Sequence, residues 1–487
     1  MHNEQVFTPS WMVRLMLDKL QYSGNRVLQK HIIDNSCGKG AFLTEIVDRY
    51  CKAFLEAYGT KSNLSLKQEL ETYIHGIEID ETCWCLTIVN LNRVGLKYDL
   101  ENVEWDIKHG DALEIDEYNG KMDYVVGNPP YCKVHDFGDK YDLIKKYSFV
   151  QGGMPDLYLA FFEIGIHMLN ETGKLIYITP STWTVTVAGK TFRKYLIENN
   201  TLSDVIVIGH EQIFPEATTF AMITQIDNSK KDIKEDYNKV TLYKYNPKTV
   251  DFDYIATRPL SFFTVGEMFC FVGDTDTLSL MKEVNKHEYD DIIKVKNGFA
   301  TLNDKLFIID ENIPETDPRF VAKDYIMVIK ASTGEQKWAI FPYNRQKDMK
   351  PFKFDELSEY ARNYLLEKAN ELHLEEQGRM KGKWWLYGRT QAINDVATGM
   401  RYSVSPIISC KEDVIVRYVF SGMGVYGGVF VIPNGTELDF DVEECLKTDE
   451  FISYVKALGR FKNGGYYTFS SKELQNYLNY KYKQSRM

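Results

Sequence analysis

Along the first half of the chain, short apolar runs alternate with longer stretches whose apolar residues recur at three- and four-residue spacing. The apolar runs read as buried strands at 31–34 (HIID), 73–79 (YIHGIEI), 102–109, 123–128 (DYVVGN), 174–180 (KLIYITP), 204–209 (DVIVIG) and 220–226 (FAMITQI). Helical spacing fills the segments between the first five, for example 40–57 and 156–170. This alternation predicts an α/β fold with a parallel, doubly wound sheet of seven strands. The last two strands have only a short connection containing Pro215, so they are expected to form an antiparallel hairpin closing the sheet.

The polar stretch DNSKKDIKEDYNK (227–239) is the best linker candidate and places the expected domain boundary after residue 235. Beyond it the pattern changes to short β-like runs rich in aromatics and glycines. One amphipathic helix is expected over 355–374, where Leu357, Tyr360, Ala361, Tyr364, Leu365, Lys368 and Leu372 share a face. The expectation is therefore a first domain over 1–235 and a mixed α+β second domain over 236–487.

Composition changes this picture little. A chain of 487 residues with 44% hydrophobic content can bury two cores. It contains no apolar run long enough to span a membrane, and its start, MHNEQVFTPS, lacks the features of a signal peptide. Eight scattered cysteines make no disulfide framework, and Cys83 and Cys85 have no second pair to complete a zinc site. A cytoplasmic protein without a metal or a membrane partner is expected. The net charge is −11, of which residues 1–235 carry −9 (24 Lys+Arg against 33 Asp+Glu). A nucleic-acid groove needs only local basic clusters, so this balance neither supports nor excludes one.

The chemistry is concentrated at strand ends. Asn128, Pro129, Pro130 and Tyr131 follow an apolar strand. An exocyclic amino nitrogen conjugated to a ring is a poor nucleophile. Two acceptors on its two N–H bonds, the Asn128 side-chain oxygen and the Pro129 carbonyl, can draw it toward tetrahedral geometry. Consecutive prolines hold that carbonyl in place beforehand, and Tyr131 offers a ring on which a base can stack. Taken alone, the same residues also suit a rigid strand-to-loop turn. In IIDNSCGKGAFLTEI (32–46), Gly38 and Gly40 allow a tight turn and close approach of a ligand. The third glycine of the dinucleotide fingerprint is replaced by Leu43, which points away from NAD. Glu78, in GIEID, is placed to accept the hydroxyls of a ribose, with Ile79 offering an apolar face to adenine. Asp111, in GDAL, is placed to accept from the adenine amino group. Each acid alone is also a plausible solvated strand end, and their order and spacing carry the argument.

With these residues, the first domain resembles the amino-methyltransferases of bacterial restriction–modification systems, specifically the γ-class N6-adenine DNA enzymes. The resemblance covers residues 5 to about 226. It implies a class I methyltransferase sheet, S-adenosyl-L-methionine as cofactor, duplex DNA as substrate and methyl transfer to N6 of a flipped adenine. It places Thr8 and Pro9, in VFTPSWMVRLM, near the methionine part of the cofactor. It also implies that Asp34, Ser36, Cys37, Phe42, Ala112, Asn128 and Pro130 line the cofactor site. The segments DLYLAFFEIGIHML (156–169) and GKLIYITPSTW (173–183) are similar to those shaping the methionine and target pockets. EQIFPEATTFAMI (211–223) matches the motif whose phenylalanine packs against the flipped base, making Phe214 the partner of Tyr131. From residue type alone Phe214 reads as a core aromatic.

The second domain is then expected to read DNA. Candidate phosphate contacts are Lys381, Lys383, Arg389, Arg460 and Lys462, with Arg389 and Gln391 suited to base edges. The aromatic pairs Trp384–Trp385 and Tyr466–Tyr467 are expected to serve core packing first. A separate cognate restriction endonuclease and a monomeric state accompany this reading. No Asp…Glu-x-Lys nuclease cluster precedes VFTP in the sequence. Protein-glutamine and ribosomal-RNA methyltransferases share an NPPY-type motif and form the alternative.

Overall fold

The apolar runs of the first half lie side by side in one sheet. The structure, a computed structural model, describes residues 7–59, 63–133, 136–138, 141–214, 220–231, 233, 238–286, 292–309, 323–399, 401–433 and 440–486. The strands are β1 (Ile32–Asp34), β2 (Ile74–Glu78), β3 (Asp106–His109), β4 (Met122–Gly127), β5 (Leu169–Pro180), β6 (Leu202–Val207), β7 (Ala221–Asp227), β8 (Lys239–Asn246) and β9 (Asp251–Pro259). Their order in the sheet is β3-β2-β1-β4-β5-β7-β6-β8-β9. Strands β1 to β5 pair in parallel, with Asp34 beside both Gly76 and Val126. Every residue of β1 and β2 is buried, which is why they read as continuous apolar runs rather than alternating ones.

Helices α1 (Ser10–Lys19), α2 (Ala41–Tyr58), α3 (Asn63–Tyr73), α4 (Glu81–Gly95), α5 (Tyr141–Ile144), α6 (Leu157–Met168) and α7 (Lys190–Asn199) accompany the sheet. Helix α2 buries Phe42, Leu43, Ile46, Val47, Tyr50, Cys51, Ala53 and Phe54 in one core with Met12, Val13, Met16 and Leu17 of α1. Helix α6 is apolar nearly all round and correspondingly buried. Asp80 caps α4 by accepting from the Cys83 N–H at 2.8 Å.

The sheet differs from expectation at its far edge. Strands β6 and β7 are antiparallel as anticipated, but β7 lies between β5 and β6 and is antiparallel to both. All seven of its residues are buried, as suits a strand enclosed by two neighbours. Strands β8 and β9 extend the sheet to nine, with β8 parallel to β6. The polar stretch 227–239 therefore connects strands of one sheet, and the first compact unit runs to Leu278 rather than to 235. Half-buried β8 and exposed β9 carry too many polar residues to announce themselves as part of an α/β core.

The second unit, Ser279–Met487, is mixed α+β. One four-stranded sheet contains Ile293–Asn297, Val429–Pro433, Arg401–Val404 and Val416–Val419. Another contains Ile308–Ile309, Gln336–Ile340, Tyr325–Lys330 and Gly424–Tyr426. The expected amphipathic helix spans Glu359–Glu371, capped by Ser358, and buries Ala361, Leu365 and Ala369. Among the described residues no helix is long and apolar enough to cross a membrane.

Candidate active site

The strand order reverses between β1 and β4, the point at which open α/β sheets bind ligands beyond their carboxyl ends. Asp34 ends β1 and is 2% exposed. Its Oδ1 accepts the Ser36 N–H at 3.1 Å, yet burial, reinforced by nearby Glu78, pushes its carboxyl up to about 7. Glu78 ends β2. Its Oε2 accepts the Gly38 N–H at 2.7 Å and its Oε1 the Asp80 N–H at 2.8 Å, while burial raises its pKa. The acid at the end of β2 is thus bonded directly to the glycine turn after β1. Gly38 (φ 56°) and Gly40 (φ 81°) adopt the left-handed conformation that lets this turn feed α2. The Thr87 hydroxyl fixes it from α4, donating to the Gly38 carbonyl at 2.7 Å.

The remaining residues expected around a cofactor gather at the same edge. The Gly110 N–H donates to the Glu78 carbonyl at 2.9 Å, setting Asp111 just beyond β3, where its Oδ1 accepts the Leu113 N–H at 3.1 Å. Cys37 and Ala112 are buried, Phe42 points into the core, and Ile79 is 51% exposed. The N-terminal segment reaches the glycine turn as well. A Cβ at Gly38 would lie 3.5 Å from the Phe7 ring, and Lys39 Nζ sits 4.2 Å from that ring's centroid. Thr8 is buried beside it, and Pro9 starts α1 by accepting the Met12 N–H at 2.9 Å.

The end of β4 closes on β1. Gly127 has φ 154°, and a Cβ there would come 2.9 Å from Asp34 Oδ1. The Ser36 hydroxyl donates to the Asn128 carbonyl at 3.4 Å. The Tyr131 hydroxyl is shared between Asn128 Oδ1 at 2.7 Å and the Ile178 carbonyl at 3.2 Å. The loop that follows is tied to the start of α6. Asp156 accepts from the Cys132 N–H at 2.9 Å and from Lys133 Nζ at 2.7 Å, and the Leu157 N–H donates to the Cys132 carbonyl at 2.9 Å. Tyr158 of α6 meets the Tyr131 ring edge-on at 6.4 Å. Beneath, the Tyr177 hydroxyl of β5 donates to Asn35 Oδ1 at 2.9 Å. Asp156, Tyr158, Asn35 and Tyr177 were not singled out from the sequence. An Asp preceding an apolar helix reads as an N-cap, and only the tertiary structure shows its carboxylate holding another loop.

Phe214 is placed differently from expectation. It is 1% exposed and lies in the core cluster with Ile208, Ile213 and Ala221. Among the described residues its ring is not paired with Tyr131. The apolar strand ends around it satisfy its burial, as the reading from residue type alone anticipates. Pro215 and the rest of that connection to residue 219 lie outside the described residues.

In the second unit Lys381, Lys383, Arg389, Gln391 and Lys462 are exposed. Arg460 is instead engaged by Glu473, at 2.9 Å through Nε and 2.8 Å through Nη2. Trp384 and Trp385 pack on the core, and the Trp385 indole donates to the Phe352 carbonyl at 3.0 Å. Among the described residues no cluster of His, Cys, Asp and Glu could hold a metal ion.

A β3-β2-β1-β4-β5-β7-β6 core with one antiparallel strand, a glycine turn after β1 and an acid ending β2 defines the class I S-adenosylmethionine-dependent methyltransferase fold. Residues 25–214 match the family model described as Eco57I restriction-modification methylase. This match bears out the resemblance to restriction–modification methyltransferases. The chain is 22% identical to the type II restriction enzyme and methyltransferase RM.Eco57I of Escherichia coli, over 89% of this chain and 52% of that protein. It is 25% identical to the type II methyltransferase M.AccI of Acinetobacter calcoaceticus, over 60% of this chain and 54% of that protein. The chain therefore spans about half the length of these curated relatives. Its fold is similar to that of the type IIL restriction-modification enzyme MmeI in complex with DNA, with a TM-score of 0.59 at 12% identity, over 95% of this chain and 64% of that one.

Proposed function

We propose that this chain is a site-specific DNA methyltransferase that methylates N6 of an adenine turned out of the duplex, using S-adenosylmethionine. The observation that carries the reading is the convergence of Asp34, Glu78, Asp111 and Asn128–Tyr131 at adjacent carboxyl ends of β1, β2, β3 and β4. The donor set fits the cofactor. Buried carboxylates complement a ligand carrying a sulfonium and an ammonium, and a cation facing Asp34 would lower a carboxyl that burial holds near 7. Glu78 suits the ribose hydroxyls and Asp111 the adenine amino group, with the exposed face of Ile79 against the adenine ring.

S-adenosylmethionine supplies an electrophilic methyl group when bound. The chain's part is to make the amino nitrogen nucleophilic. Asn128 Oδ1 and the Pro129 carbonyl accept its two N–H bonds and localise the lone pair toward the methyl group, an arrangement set before the base arrives. Tyr131 stacks on the extruded base and offsets part of the few kcal/mol that extrusion costs. Phe214 completes that pocket only if the base pocket opens the core packing seen around it. The second unit would read the duplex through Lys381, Lys383, Arg389, Gln391 and Lys462. Modification of host DNA against a cognate restriction endonuclease is the corresponding role.

The test is transfer from labelled S-adenosylmethionine to unmethylated DNA, followed by nucleoside analysis. Label in N6-methyladenine supports the reading. Label in protein or RNA instead moves the same amino-group chemistry to the alternative substrate class.

A further inference from the structure

Leu302 occupies a strained and exposed position in the second unit. It is 70% exposed and adopts φ 60°, a left-handed conformation that a leucine takes only at an energetic cost. The surrounding backbone over-determines it. Ala300 and Arg389 exchange two backbone hydrogen bonds, at 3.1 and 3.0 Å, and the Gly388 N–H donates to the Thr301 carbonyl at 3.2 Å. On the other side the Thr301 hydroxyl bonds Asp304 and accepts the Asn303 N–H at 3.1 Å. The Leu302 side chain lies across Gly388, where any Cβ would collide with it. Its outer face is left to solvent, and Arg389, Thr390 and Gln391, which follow Gly388 in the chain, are exposed. Gln391 is itself tied back to this loop, donating to the Gly298 carbonyl at 3.4 Å.

A single exposed leucine needs no explanation. A leucine held in left-handed backbone by a two-sided brace, over a glycine that directly precedes an exposed arginine, does. The strain would be relieved with Gly or Asn at this position, and most of the leucine surface faces solvent rather than the chain. We propose that Leu302 is a wedge that inserts between stacked bases of duplex DNA, with Arg389 beside it contacting the backbone or a base edge. Apolar wedges of this size unstack a base step and let the duplex deform, at a cost repaid by the added contact. A rigid, pre-formed presentation is what such insertion requires, since a mobile leucine would lose ordering entropy on entering the stack. This inference rests on the reading of the chain as a DNA methyltransferase and assigns part of its DNA contact to a residue that residue type alone would leave as a loop tip.

The experiment compares the wild type with Leu302→Gly, Leu302→Asn and Leu302→Met on unmethylated plasmid DNA. It follows kcat/KM for methyl transfer, permanganate reactivity of unstacked thymines, and thermal unfolding. The Gly and Asn variants relieve the backbone and are expected to unfold at the same or a higher temperature. They are expected to lose roughly tenfold or more in kcat/KM, with cofactor KM unchanged, together with the wild type's permanganate-reactive thymines. Leu302→Met keeps an apolar protrusion and is expected to stay within a few-fold of wild type. Wild-type rates and reactivity in the Gly or Asn variant overturn the wedge while leaving the enzyme assignment intact. A wild type that puts no label into DNA removes the enzyme assignment itself, and the wedge with it.

Discussion

The Tyr131 hydroxyl donates a 2.7 Å hydrogen bond to the side-chain oxygen of Asn128, three residues earlier on the same turn. A second acceptor, the Ile178 carbonyl at 3.2 Å, comes from β5 and fixes the hydroxyl against the sheet. The tyrosine thus both presents a ring and orients the amide oxygen that the proposed function assigns to the substrate amino group. An amide oxygen has two lone pairs and can accept more than one hydrogen bond.

Tyr131 substitutions should therefore separate two roles. Tyr131→Ala is expected to weaken base extrusion and turnover together. Tyr131→Phe keeps the stacking face but frees the Asn128 side chain, so DNA affinity should hold while kcat falls by about three- to tenfold, matching the roughly 1 kcal/mol of one hydrogen bond. Single-turnover rates alongside duplex binding measure both. Equal losses in the two variants would rule out a stacking role.

Asn128→Ala should lower kcat on the order of a hundred- to a thousandfold, the loss seen when one preorganised hydrogen-bonding group is removed from a reacting centre. Cofactor affinity, measured by equilibrium dialysis with labelled S-adenosylmethionine, should stay nearly unchanged. An alanine variant turning over at the normal rate would falsify the amino-group mechanism.

If Asp34 faces the cofactor as proposed, cofactor binding should depend on pH. Its carboxyl sits at about 7 in the folded chain against an ordinary 3.8, so the folded state holds the proton more tightly than the unfolded one. The stability this contributes is complete below the unfolded value and is lost as pH rises through about 7. A cationic ligand favours the ionised form. The rise in Tm produced by S-adenosylmethionine should therefore grow as pH increases from about 6 to about 8, and Asp34→Asn should flatten that trend. Thermal melts across that range, with and without cofactor, decide it. A ligand-induced shift that is constant with pH in the unsubstituted protein would remove Asp34 from the site.

Gly127→Ala tests the closure of β4 on β1. The added methyl meets Asp34 Oδ1 and the φ of 154° disfavours any side chain. A loss of about 1–3 kcal/mol in denaturant unfolding is expected, with weaker cofactor binding. Gly120→Ala is the control. Its φ is 71° with nothing within 4 Å, so it should show the backbone cost alone and bind cofactor normally.

Much of the first unit was legible because each of its signals is local. Strands β1, β2 and β4 fall within one residue of the runs expected, whereas β3 (DIKH) starts later than 102 and β5 starts at Leu169, before the apolar run at 174. Asp34, Glu78, Asp111 and Asn128 follow directly from strand ends, whose positions along the chain are read without knowing which strands pair. The sheet's far edge was not legible. Strand β8 alternates polar and apolar residues like any surface strand, and only its hydrogen bonds to β6 show that it continues the sheet past 235. The burial of Phe214 agrees with its residue type and departs from the pocket role that the family resemblance implied.

The sequence by itself determined where the first strands fall along the chain, the residue types at their ends and the family resemblance, because side-chain period and turn chemistry are properties of a few consecutive residues. The tertiary structure decided which groups meet across the fold: Glu78 with the Gly38 N–H, Gly127 with Asp34, Asp156 with the loop after Tyr131, Arg460 with Glu473 rather than a phosphate. Those pairings join residues 13 to 93 positions apart, and what selects them is the joint satisfaction of buried donors and carboxylates, a constraint no short stretch of sequence contains.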